Sequence, residues 1–180
     1  MKPHLAASLV LVAMTCAIHP AHAQTPAAPV VAPAPPAPPS PPARGPALEL
    51  ALEAARTALD TCTARQQKVS VSVVDSAGVL KALLTNDGAH ARGVASSTNK
   101  AQTALAFNSA TGALGEKAKG DTALAARIAA NPSFNARGGG VPIVANGSVI
   151  GAIGVGGAKG SDVDEACALA GIAQVQNRLQ

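Results

Sequence analysis

The chain has 180 residues with 14 Lys and Arg against 10 Asp and Glu, a formal net charge of +4, and neither Trp nor Tyr. Its basic residues are scattered and no aromatic is interleaved with them, which argues against a nucleic-acid interface. Two phenylalanines, Phe107 and Phe134, are the only aromatics, so any core is built from Val, Leu, Ile and Ala.

Residues 1–23, MKPHLAASLVLVAMTCAIHPAHA, combine Lys2 with an apolar run from about Leu5 to Ile18 and the Ala21-His22-Ala23 pattern. That order predicts a secretory signal cut after Ala23, with an apolar run too short to span a bilayer. Residues 24–46 are rich in proline and alanine and predict an extended tether, able to reach roughly 70 Å at about 3.1 Å per residue. No later stretch is long and apolar enough for a membrane span. Residues 47–180 remain for one small domain, expected in the periplasm or outside the cell.

Leu48, Leu52, Ala55, Leu59 and Cys62 recur at helical spacing behind Pro46, so the domain opens on a helix. Val69, Val71 and Val73 alternate with serines and predict a half-buried strand. The turn residues Asp75–Gly78 lead to a second strand, Val79–Thr85, paired antiparallel to the first. Asn86-Asp87-Gly88 opens a loop, and a helix is expected to start near Ser97 or Thr98, whose side chains are suited to cap it. Gly112 and Gly115 interrupt the pattern, and Asp121–Ala130 is a further helix, closed by Asn131-Pro132. The segments VPIVA and SVIGAIGV flank Asn146-Gly147, a strong two-residue hairpin signal. A last helix runs from about Asp162 to Leu179. Two hairpins interspersed with helices predict an α+β domain, an antiparallel sheet with helices packed on it.

The glycine-rich stretch from Gly138 to Ser161 invites a nucleotide reading, and spacing excludes it. A dinucleotide fingerprint beginning at Gly154 requires glycine at position 159, where Lys159 stands. GVGGAKGS also lacks the letter order of a P-loop, and Asp162, Asp164 and Glu165 would repel a phosphate. Gly147 suits a tight turn. Gly151 and Gly154 sit three apart and face opposite sides of a strand unless a bulge intervenes. Gly139 and Gly140 leave room before their strand. Close packing and a flat ligand account for these glycines equally well.

Once Cys16 leaves with the signal, Cys62 and Cys167 form an even pair in an oxidising compartment, read as a disulfide or as two buried thiols. His90 is then the one histidine left, and no methionine remains. It is the first candidate to ligate a metal such as iron, or else a solvated loop residue. A single histidine makes a zinc site improbable and gives no Ser/His/Asp constellation. Ser96, Ser97, Thr98, Asn99 and Lys100 combine hydroxyls, an ammonium and helix N–H groups, which describes either an anion site or an ordinary capping turn. Asp75 and Asp87 sit in turn signals, where aspartate bonds its own backbone.

The ordered motifs VSVVDSAG, GGVPI, NGSVIGAIGVGG and DEA resemble the GlcG/HbpS family of small haem-binding domains over nearly all of the domain. The resemblance implies the same α+β fold, oligomers, and binding of haem or a corrinoid, with haem degradation described for some members. Export and the cysteine pair are similar to a periplasmic branch. Lys100 and Thr103 match the family's middle helix, where Gln102 replaces a common aromatic. The expectation is an exported, oligomeric binder of haem or a related tetrapyrrole without turnover of its own. The rivals are a haem-degrading or small-carboxylate-converting enzyme, and an accessory subunit with no ligand.

Overall fold

The computed structural model describes residues 42–180; the signal and most of the tether lie outside the described residues. The elements run α1 (Leu48–Ala64), β1 (Ser70–Asp75), β2 (Leu80–Thr85), α2 (Ala91–Phe107), α3 (Thr111–Ala118), α4 (Thr122–Ala129), β3 (Gly140–Ala145), β4 (Ser148–Gly156) and α5 (Ser161–Val175), closed by a 3₁₀ turn over Gln176–Arg178. The four strands lie in the order β2-β1-β4-β3, with every neighbouring pair antiparallel. The expected α+β class and both hairpins are present. Asn146 and Gly147 take φ of 49° and 74°, the pair of left-handed residues that the tightest hairpin turn demands.

One face of the sheet carries Val71, Val73, Ile143, Ile153 and Val155 against α1 and α5. These two helices approach closely because they meet through small residues. Ala51, Ala54, Ala55 and Ala58 are buried on α1, and a Cβ on Gly171 of α5 would strike the Ala54 carbonyl. The buried stripe of α1 is thereby rotated from the expected one, and Leu48 and Leu52 are left 48% and 39% exposed. Cys62 and Cys167, both fully buried, join the two helices in a disulfide with Cα atoms 5.7 Å apart.

The opposite face is covered by α2, and here the sequence misleads. β1 is buried on both faces rather than half-buried. Ser70 and Ser72 face α2 and are satisfied by hydroxyls, Ser72 pairing with Ser97 at 2.8 Å and Thr98 at 2.9 Å, and Ser70 accepting from Thr85. Between them lie Ala152, Gly154 and Gly156 of β4. A Cβ on Gly154 would collide with the Ser97 carbonyl, one on Gly156 with Ser96 and Gly93, and one on Gly140 with the Lys100 carbonyl. The helix backbone therefore rests almost directly on the strand backbone, and packing is what these glycines serve. Gly151 does face away from this helix, and a bulge follows: Ile143 opposes Gly151 while Val144 opposes Val149, leaving Ile150 as the extra residue.

Helix α2 begins at Ala91, six residues before the expected start, with His90 in extended conformation at its N-cap. Ser97 and Lys100 are thus mid-helix, and their N–H groups are spent on helical bonds. Gly112 and Gly115 do not break the chain but lie within α3, where a Cβ on Gly115 would meet the Ala136 carbonyl. Asp121 caps α4 as its position predicts, accepting from the Leu124 N–H at 2.9 Å. At the other end of the domain, Arg44 and Ser76 clasp each other. The Arg44 N–H donates to Ser76 Oγ and the Ser76 N–H to the Arg44 carbonyl, both at 2.7 Å.

Candidate functional site

A cleft of about 350 Å³ opens where the N-terminus of α2, the Asn135–Arg137 segment and the β4–α5 loop converge. His90, Arg92, Ser96, Asn135, Arg137 and Lys159 surround it, with Lys100 and Asp164 at its buried end. Each wall is fixed by residues outside it. Asn86 pins the loop before His90, accepting from the Val69 N–H and donating to the Gln67 carbonyl, both at 2.9 Å. The Lys159 N–H donates to Gln67 Oε1 at 3.0 Å, and the Ala158 N–H to Asp164 Oδ1 at 3.1 Å. Thr103 Oγ1 accepts from the Asn135 N–H at 2.8 Å, and the Asn135 amide donates to Ser96 Oγ at 3.2 Å.

The electrostatics divide into a satisfied interior and a cationic mouth. Lys100 Nζ donates to Asp164 Oδ2 at 2.7 Å and to the Val155 carbonyl at 3.0 Å, with the two side chains only 3% and 5% exposed. Burial pulls the Lys100 ammonium below the usual lysine range; the Asp164 bond and charge oppose this, and nearby Arg137 adds to it. Arg92, Arg137 and Lys159 are exposed at the mouth, and none is paired with a carboxylate among the described residues.

Of the residues singled out in the sequence, the cleft brings together His90, Ser96 and Lys100. Ser97 is fully buried under α2, donating to the Val94 carbonyl at 2.9 Å, and does not line it. Asn99 contributes its carbonyl to Thr103 Oγ1, which together with the Asn135 contact makes Thr103 a support for the wall. The anion site or capping turn expected at Ser96–Lys100 is therefore corrected: there is no helix terminus there, and the ammonium belongs to Asp164. Gly139 has φ 123°, donates its N–H to Glu165 Oε2 at 3.2 Å, and leaves space for Lys100 Nζ. Gly140 donates to Thr111 Oγ1 at 2.8 Å. Both glycines lie behind the cleft rather than in it. Gln102 reaches away to the Gly78 carbonyl at 2.7 Å and locks the β1–β2 turn.

Arg92, Asn135, Arg137 and Lys159 escaped the sequence reading, since they lie on separate segments. The one available signal was Lys159, which excluded a nucleotide fingerprint and here supplies a cation. Among the described residues no cluster of three His, Cys, Asp or Glu is placed to hold a metal ion, and no helix is long and apolar enough to cross a membrane. What the chain offers a haem is one imidazole at the cleft mouth beside cations suited to carboxylates, a donor set that fits the group.

No curated protein matches the chain. Solved structures do. HbpS is 34% identical, with 76% of this chain and 94% of that chain covered and a TM-score of 0.69. The Klebsiella pneumoniae protein ORFY is 26% identical, with 74% of this chain and 92% of that chain covered and a TM-score of 0.68. A PduOC:heme complex is 25% identical, covering 72% of this chain and 94% of that chain, at 0.67. A family model described as "Haem degrading protein HbpS-like" matches residues 47–173, nearly the whole folded domain. The chain belongs to the HbpS-like family.

Proposed function

We propose that this protein binds haem or a related tetrapyrrole at the His90 cleft, is exported, self-associates, and does not turn its ligand over. The observation that carries the reading is the convergence of His90 with Arg92, Arg137 and Lys159 around one opening. Planar guanidinium forks recognise carboxylates by paired hydrogen bonds, so the arginines suit the propionates of a porphyrin. The His90 imidazole suits iron as a neutral nitrogen donor. Haem, when bound, supplies the redox-active iron; the residues here hold and orient it. The heme complex of the relative PduOC supports the ligand class. The signal-like residues 1–23 support export. Lys100 and Asp164 are committed to each other at the buried end of the cleft, which favours binding over proton-transfer chemistry there.

The test is a titration of the protein with hemin, followed by visible absorbance. A saturable shifted band, altered in His90→Ala, is expected, and no saturable change would overturn the reading. A bound band that disappears with reductant and oxygen would replace it with haem degradation. The modest volume of the cleft favours a second reading, a small carboxylate as the ligand, which would compete at the same cations without a spectral change. Light scattering checks the assembly.

A further inference from the structure

A second concavity adjoins the cleft. It is a groove of about 570 Å³ between α3, the Ala136–Gly138 segment and the first turns of α5. Gly112, Gly115, Ala136, Ala166 and Leu169 give it an apolar lining. Arg137 and Ser161 line both the groove and the cleft, so the two are neighbours with a shared wall. Nothing in the proposed function uses this groove.

Three acids also line it, Glu116, Asp162 and Glu165, and two of them are held by partners. Glu165 Oε2 accepts the N–H groups of Gly112 and Gly139, each at 3.2 Å, and Glu116 is paired with Lys119 at 2.7 Å. Glycine at 112 and 115 lets α3 press against Glu165 and the Ala136 carbonyl. That leaves backbone and methyl groups as part of the surface, with Glu116, Lys119, Arg137 and Asp162 also lining the groove. Leu169 stands at the rim and is 51% exposed.

We propose that the groove takes the apolar body of the ligand whose carboxylates lie in the cleft, with Arg137 at the junction. This rests on the tetrapyrrole reading and adds the placement. An amphipathic, flat, carboxylate-bearing molecule matches the sequence of surfaces, apolar then cationic. The cleft alone lies near the lower end of the roughly 300–1,000 Å³ range of small-molecule sites, and the two together approach the upper end. A small carboxylate would need only the cleft.

The experiment compares protoporphyrin IX with its dimethyl ester, titrated into the full chain and two groove variants, Ala166→Phe and Leu169→Gln. Ala166→Phe fills the groove and Leu169→Gln makes its rim polar, neither adding charge. Far-UV circular dichroism and thermal midpoints establish that both variants are folded. Tenfold or greater weakening of protoporphyrin binding in Ala166→Phe, several-fold weakening in Leu169→Gln, and weakened binding of the ester to the unmodified protein are expected. Tight protoporphyrin binding that both groove variants retain while Arg137→Gln loses it would overturn the groove and leave the cleft reading intact. No binding by the unmodified protein would overturn the reading itself and the groove with it.

Discussion

Replacing Asp164 with asparagine tests the buried pair at the root of the cleft. The change leaves the Lys100 ammonium 3% exposed, still donating to the Val155 carbonyl but without its counter-charge. Removing one partner of a buried ion pair typically costs about 3–5 kcal/mol, because the remaining charge is stranded. Asparagine keeps an oxygen for the Ala158 N–H, so the lower part of that range is expected. Lys100→Met strands Asp164 with only that N–H and should cost a similar amount. The double variant strands neither charge, so its cost should fall short of the sum by about 2–3 kcal/mol. Urea unfolding followed by far-UV circular dichroism is the assay, since the chain has neither Trp nor Tyr for fluorescence. The pH dependence has a defined sign. In Asp164→Asn the two largest influences that raised the Lys100 pKa are gone, Glu165 alone still raises it, and burial and Arg137 still lower it. The native state then releases its proton before the unfolded state does, so stability rises with pH from the lowered folded value up to the ordinary 10.5. Additive single-variant costs, or a deficit that does not shrink as pH rises, would refute the reasoning.

Three further outcomes concern the scaffold. Replacing Cys62 and Cys167 together with alanine frees a loop with a sequence separation of 105 and should cost up to about 4–5 kcal/mol, read from the urea midpoint. Gly154→Ala should cost about 1–3 kcal/mol by lifting α2 off the sheet. Gly147→Ala meets nothing within 4 Å and should cost about 1–2 kcal/mol through its φ of 74° alone, a difference that near-UV-silent thermal melts by circular dichroism can register. Binding of hemin should weaken as salt is raised through the screening of Arg92, Arg137 and Lys159, and less steeply in Lys159→Gln.

The sheet was legible because its signals are local. Alternating valines mark β1, and Asn146-Gly147 sets the register of the second hairpin. The start of α2 was not, because ARGVASSTNK has no apolar period. Its buried residues include Gly93, Ser97, Lys100 and Thr103, whose burial depends on serines and glycines of a distant sheet face. The same distance hid the site. Lys100 meets Asp164 across 64 residues of sequence, and a lone lysine in a polar run reads as a surface cation until its partner is known. His90 was found by elimination, as the remaining histidine of the domain. The arginines and Lys159 around it have no such distinction in sequence, and only the folding of three separate segments puts them together.

The Arg44–Ser76 clasp determines which way the domain faces. It grips the entering chain beside the end of β1 at Asp75, whereas the cleft opens beyond the other end, where Ser70 faces Gly156. A six-residue strand separates them, roughly 17–20 Å at about 3.3 Å per residue. Arg44 itself lies at the pole remote from His90. A label placed on Ser76 or Arg44 therefore sits clear of the mouth of the cleft and leaves it accessible to a ligand arriving from solution.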